Sequence, residues 1–227
     1  MKFSTFLLSA AMFFVVSISH AQISLGIRGG YVNTGLATSG NSTAPGTSHR
    51  DHWQVGAYLN APLFARGYLQ VGAGYIVKGA GLDYANSHPG LFASGATNLK
   101  LQYLEAPVNF VYKLPVSFGK LVVGAGPYGA YCLRGDYNMA VYDGLRQVQS
   151  GSQHLNFDSS PNVFGTNMNL QRWDAGLNFT AGVEFNCFLT LSAHYGYGLV
   201  DIDKSANELK NRYWGISLGF MFDREDW

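Results

Sequence analysis

Three groups of residues in this 227-residue chain have the types that could do chemistry. Ser192 and His194 stand two apart, with Glu184 upstream: a nucleophile, a base and an orienting carboxylate by type. Residues 189–199 alternate Leu191, Ala193, Tyr195 and Tyr197 with Ser192, His194, Gly196 and Gly198, so both candidates share the polar face of one strand. Side chains two apart on a strand are separated by about 6.6 Å, too far for a direct nucleophile–base hydrogen bond without bending. Catalysis is therefore not expected, and no catalytic residue is assigned. His49, Asp51 and His52 have metal-ligand types, but with no second cluster they fit a solvated loop better than a zinc site. No metal and no cofactor are expected. The third group is dispersed: Arg28, Gln70, Glu105, Asn109, Asp174, Asn178, Glu184 and His194 each stand on the polar side of an alternating segment.

The element that must position such a scatter is clearest in Arg172–Phe185. Trp173, Ala175, Leu177, Phe179, Ala181, Val183 and Phe185 alternate with Arg172, Asp174, Gly176, Asn178, Thr180, Gly182 and Glu184. Period-two alternation over fourteen residues reads as one strand about 40 Å long, suited to a tilted membrane crossing. A solvated sheet would have the polar face dressed in Lys, Glu and Thr. Here that face carries Gly, Asn and isolated charges, as the filled interior of a small closed barrel would, with Trp, Leu and Phe turned to lipid.

Eight such stretches follow one another: 23–31, 53–60, 67–78, 99–112, 120–131, 172–185, 189–199 and 212–222. Their links alternate between short (61–66, 113–119, 186–188) and long (32–52, 79–98, 132–171, 200–211). That pattern predicts an all-β fold: an eight-stranded antiparallel up-and-down transmembrane β-barrel with short periplasmic turns and long external loops. Tyr31, Trp53, Tyr75, Trp173, Tyr197 and Trp214 fall beside long links, while Phe110, Tyr112, Phe185, Phe220 and Phe222 fall beside short ones, as two aromatic girdles require. A lipocalin also has eight strands, but its inside is apolar and its outside wet, the inverse of the polarity here.

Residues 1–21 carry Lys2, an apolar run from Phe6 to Ile18 and Ser19-His20-Ala21, which predicts a cleaved signal peptide followed by one barrel domain over 22–227. The chain beyond residue 21 has fourteen basic and fourteen acidic residues, which does not suggest a nucleic-acid partner. Cys132 and Cys187 are placed at opposite rims, beyond disulfide reach, and are expected to be free. Asn41-Ser42-Thr43 fits the N-glycosylation pattern, which has little meaning in a bacterial outer membrane.

Tyr103-Leu104-Glu105-Ala106-Pro107-Val108 resembles the Y-L-E-I-P-L signature of the PorT-like outer-membrane β-barrel family, an OmpX/OmpA-like architecture. The resemblance continues through Gly124-Ala125-Gly126-Pro127-Tyr128, Asp174-Ala175-Gly176-Leu177-Asn178 and Gly182-Val183-Glu184. It closes with Tyr195-Gly196-Tyr197-Gly198-Leu199 and Asn211-Arg212, with Ala106 standing where the family favours a branched aliphatic. The motif positions are thus Tyr103, Glu105, Pro107, Gly126, Pro127, Tyr128, Gly176, Gly198 and Asn211. The resemblance implies the fold and an outer-membrane location in a Gram-negative cell envelope. It implies no single activity, although one member is similar to a component needed for type IX secretion and gliding.

In a narrow lumen isolated charges are costly, so Arg28, Glu105, Asp174, Glu184 and His194 are expected to pair across the barrel as a structural network rather than an ion path. Glu105→Gln is expected to lower the heat stability of the barrel. The forty-residue link 132–171 holds Tyr137, Tyr142, Phe157 and Phe164 among polar residues and is where a protein partner would be sought. The expected function is that of a small monomeric outer-membrane protein, lipid-embedded, with a structural or interaction role through its external loops. An accessory role in type IX-like secretion and a narrow pore are the alternatives.

Overall fold

In a computed structural model, residues 23–39, 46–83, 92–143, 146–155, 157, 170–203 and 208–222 are described. Residues 1–21, expected to be a signal peptide, Asn41-Ser42-Thr43 and Phe164 lie outside them. Ten strands follow in order: β1 (Ser24–Ser39), β2 (Gly46–Ser48), β3 (Arg50–Phe64), β4 (Gly67–Asp83), β5 (Phe92–Val116), β6 (Gly119–Asp143), β7 (Arg146–His154), β8 (Trp173–Phe185), β9 (Leu189–Gly198) and β10 (Glu208–Met221).

Eight of these close on themselves. Antiparallel neighbours run β1–β3–β4–β5–β6–β8–β9–β10, and β10 returns to β1 through pairs such as Tyr31↔Ile216, which removes every free edge from the ring. The remaining two, β2 and β7, pair with β4 and β6 above the ring. Alternation of short and long connections appears as expected: β3–β4, β5–β6 and β8–β9 are tight turns, and the other four links are long.

Period-two patterning makes the barrel wall. Trp173, Leu177 and Phe179 are exposed on β8, while Asp174, Asn178, Thr180 and Glu184 are buried between them. On β10, Leu218 is 68% exposed beside buried Ser217. So large an apolar surface belongs in lipid. Aromatic pairs stand at both ends of the apolar band: Tyr31–Trp214, Trp53–Tyr75 and Tyr131–Trp173 toward the long loops, Phe64–Phe110, Phe118–Phe185 and Phe188–Phe220 toward the turns.

The strands run further than the alternation alone indicates. β5 and β6 are each 25 residues long and stay paired from Val116↔Gly119 at the turn to Phe92↔Asp143 at the far end. The link 132–171 therefore begins as strand, and β7 folds back on β6 through Asp143↔Arg146. One extra residue, Leu133, shifts the β5–β6 register between Gln102↔Arg134 and Tyr103↔Cys132. Val77, outward by alternation, is buried. Cys132 is buried near the external end and Cys187 is exposed in the β8–β9 turn, both free.

Above the ring, loop residues fold inward. Leu155, Phe157, Leu170 and Ile202 join Val32, Leu36, Leu99, Leu101, Tyr137 and Leu209 in one buried apolar cluster. Backbone bonds hold this cap down: Leu155 N to Gly135 O at 2.8 Å, Gln171 N to Ile202 O at 2.9 Å, and Ile202 N to Leu209 O at 2.8 Å. Asp201 Oδ1 accepts from the Leu209 and Asp203 amides at 2.8 and 3.0 Å, an Asx turn that fixes the β9–β10 link.

Candidate functional site

Beneath the cap, the inward residues of five strands converge on one ammonium. Lys78 of β4 lies 2.8 Å from Glu105 Oε2 on β5 and 3.1 Å from Asp174 Oδ2 on β8. Three tyrosine rings surround it: Tyr128 of β6 with its centroid at 4.4 Å, Tyr213 of β10 at 4.8 Å and Tyr103 of β5 at 5.1 Å. The negative faces of these rings supply part of the solvation that burial removes from the cation. Tyr213 donates its hydroxyl to Glu105 Oε1 at 2.7 Å, and Tyr128 donates to Asp174 Oδ2 at 3.3 Å. Asn211 donates Nδ2 to the same Asp174 oxygen at 2.9 Å. Lys78 is 1% exposed, so it lies almost wholly out of contact with water.

The rings need slots. A Cβ built on Gly196 would lie 2.0 Å from the Tyr213 ring, and one on Gly176 would lie 2.8 Å from Tyr128, so glycine is what lets each ring lie flat across the lumen. Of the motif positions, Tyr103, Glu105, Tyr128, Gly176 and Asn211 all belong to this cage. Pro107 is buried close by, Gly126 and Gly198 pack against the backbone of Val108 and Asn211, and Pro127 faces outward.

A second cluster lies toward the turns. Lys113 of β5 pairs with Glu184 of β8 at 3.0 Å and stands 4.5 Å from the Tyr68 ring. Lys120 of β6 is the cross-strand partner of Glu184, inward and buried, so this carboxylate has a cation on either side. Gln70 donates to Asn60 at 2.9 Å and Asn60 to Ser24 at 3.1 Å, a chain across β4, β3 and β1 that closes the periplasmic end.

Arg28 stands between the clusters. Its guanidinium lies 5.5 Å from the Tyr58 ring and forms no ion pair with a described carboxylate, contrary to the expected direct pairing. It lines two cavities of about 30 Å³, one bordered by Glu105 and the other by Glu184. Each has room for one or two waters and no more. His194 also remains apart from the carboxylates. Its Nε2 lies 3.0 Å from Ser192 Oγ, which corrects the expectation from strand spacing: the Cα separation holds, but the imidazole is long enough to lean along the strand and close it. His194 Nδ1 is buried with no hydrogen-bond partner, so no third group orients the ring as a nucleophile–base pair requires.

Sequence reasoning missed Lys78, Lys113 and Tyr213. The signal was present: Lys78 shares the parity of Gln70, Gly72 and Gly74, and Lys113 shares that of Glu105 and Asn109. The loop residues go separate ways. His49 packs on Gly35, Asp51 accepts hydrogen bonds from Tyr31 and from Asn33 at 2.7 Å, and among the described residues no three metal-ligating side chains come together.

The closed, lipid-facing ring with a filled polar interior defines a small outer-membrane β-barrel. Over residues 17–204 the sequence matches the family described as outer membrane protein beta-barrel domain, and the chain belongs to that family, in the outer membrane. Similar solved structures include the outer membrane protein OprG of Pseudomonas aeruginosa (TM-score 0.46, 12% identity, covering 90% of this chain and 98% of that one). Neisserial surface protein A (TM-score 0.45, 9% identity, 88% and 98%) and Ail, the attachment invasion locus protein of Yersinia pestis (TM-score 0.42, 14% identity, 88% and 99%), are also similar. No curated protein matches the sequence.

Proposed function

We propose that this protein is a non-conducting, non-catalytic barrel that acts through its external face, exported by a signal peptide over residues 1–21. The observation that carries this reading is the double closure of the lumen: the apolar cap of Leu155, Phe157, Leu170 and Ile202 above, the Lys78 cage directly below. A path for ions would need a continuous wet column, whereas the two cavities beside Arg28 that Glu105 and Glu184 border hold about 30 Å³ each. What remains for interaction is the β5–β6–β7 sheet, which stands above the membrane band on strands continuous with the barrel wall. Recognition surfaces carried on rigid elements bind with less loss of entropy than free loops do. The closed ring also leaves no edge for self-association in the membrane, which favours a monomer.

Convergence of the motif positions on the Lys78 cage supports a PorT-like assignment within the family, because residues scattered over the chain meet in one place. That convergence concerns how the lumen is filled; a role in type IX-like secretion is a separate reading, favoured only by the resemblance. Two measurements divide the readings. In planar bilayers the purified protein is expected to give no steps above baseline, and steady single-channel conductance would replace the closed-lumen reading with a pore. Cargo secretion from a strain deleted for the gene is expected to be unchanged; loss of many unrelated cargo proteins from the medium would establish the secretion role instead.

A further inference from the structure

Arg28 brings a charge into the lumen that the two ionic clusters leave unmet. Among the described residues, the buried lysines and carboxylates number three of each. Every one of those carboxylates already lies within 3.1 Å of a lysine: Glu105 and Asp174 of Lys78, Glu184 of Lys113. The Tyr58 ring, 5.5 Å from the Arg28 guanidinium, solvates the cation in part but carries no countercharge. A charge withdrawn from water without a partner is costly, so the surroundings of this guanidinium are where a countercharge belongs.

Those surroundings are shaped by glycine. Arg28, Gly219 and Thr190 are cross-strand neighbours on β1, β10 and β9. A Cβ on Gly219 would lie 2.5 Å from Thr190 Oγ1 and 3.2 Å from Arg28 Cβ, so glycine keeps the gap between them open. Gly182 does the same from β8, where a Cβ would stand 2.9 Å from Ser192 Cβ. Between them is a cavity of about 30 Å³ lined by Arg28, Tyr58, Gln70, Thr180, Thr190 and Ser192. Glu184 also lines it, with its charge met by Lys113. The Thr180 and Thr190 hydroxyls are tied to no other described residue. Ser192 Oγ lies 3.0 Å from His194 Nε2, and when the imidazole donates to it the serine proton turns to the cavity.

We propose that this cavity binds one small monovalent anion, chloride, held by the Arg28 guanidinium and the Thr180, Thr190 and Ser192 hydroxyls. Charge sets the valence, since one such anion balances one guanidinium. Volume sets the size: the space accepts a particle little larger than a water and excludes carboxylates and phosphate. The donors set the class, because guanidinium and hydroxyl protons are what a halide accepts. The site needs a filled lumen but no role for the external face, and an open lumen would fail separately, by conducting in planar bilayers.

The test unfolds the full protein in urea from lipid vesicles at constant ionic strength, with chloride replacing gluconate, an anion too large for the cavity. The folded-to-unfolded ratio is expected to rise about tenfold from roughly 10 to 300 mM chloride, with bromide acting alike. Arg28→Gln is expected to abolish that dependence, and Thr190→Val, which keeps the charge and the shape, to cut it to about threefold. The heat-dependent gel shift of a folded barrel reports folding for both variants. Equal stability of the unaltered protein in chloride and gluconate would overturn the proposal. So would a chloride dependence unchanged in Arg28→Gln or, should that variant misfold, in Thr190→Val. Crystals grown in bromide are expected to show one anomalous peak beside Arg28; a lumen without bromide would overturn the proposal as well and leave water as the filling.

Discussion

The two ionic clusters of the lumen are built from similar residues in opposite ratio. In the upper one a single cation, Lys78, serves two carboxylates, Glu105 and Asp174. In the lower one, among the described residues, a single carboxylate, Glu184, pairs with Lys113 and stands opposite Lys120 across the strands. Among the described side chains, the minority charge is the one on which each cluster's balance turns. Surroundings amplify the contrast. The upper cluster is enclosed by three tyrosine rings under an apolar cap, whereas a single ring, Tyr68, stands over Lys113 in the lower one.

The largest expected effect follows from removing Lys78. Lys78→Met leaves Glu105 and Asp174 unneutralised and is expected to cost about 3–5 kcal/mol in urea unfolding from lipid vesicles. The triple variant Lys78→Met, Glu105→Gln, Asp174→Asn should recover most of that loss, since no charge is then stranded. A triple as unstable as the single would mean that the tyrosine cage, not charge balance, dominates. Glu184→Gln comes next, at about 2–3 kcal/mol, because Lys113 loses its 3.0 Å ion pair but has one ring rather than three about it. Lys113→Met should cost less, about 1–2 kcal/mol, since Lys120 still faces the carboxylate. If Lys113→Met proved worse than Glu184→Gln, the minority-charge rule would be wrong for this barrel.

Much of this contrast was within reach of the sequence, and its limits are physical. Alternation placed Glu105, Asp174, Glu184 and Arg28 inside because a strand turns every second side chain to the same face. It stopped short at Lys78 and Lys113 because both stand where the apolar half of the pattern fades, at Gly79 and Leu114-Pro115. Which inward residues meet depends on the stagger of the strands around the ring, a property of closure that no single segment carries. That is why Arg28 was expected beside a carboxylate and lies instead against Tyr58. The external extension was hidden for another reason. Residues 146–154 carry Val148 alone among polar and small side chains, so β7 lacks the alternation that marks the membrane band; Asp136–Val141 does alternate, and Asp143-Gly144 was the available hairpin signal.

The smallest expected effect concerns Ser192 and His194, the pair that most resembles chemistry. Their 3.0 Å contact joins two residues of one strand, so it ties no strand to another, unlike the Lys78 cage with its five. Ser192→Ala is therefore expected to cost about 0.5–1.5 kcal/mol, the net worth of one hydrogen bond, and to leave the ordering of the ionic variants unchanged. The same urea series measures it. A loss as large as that of Lys78→Met would mean that His194 depends on Ser192 to remain in the lumen, and the contrast between the two clusters would then need a third buried group in it. A loss within the expected range leaves His194 as part of the filling, held by the packing around it.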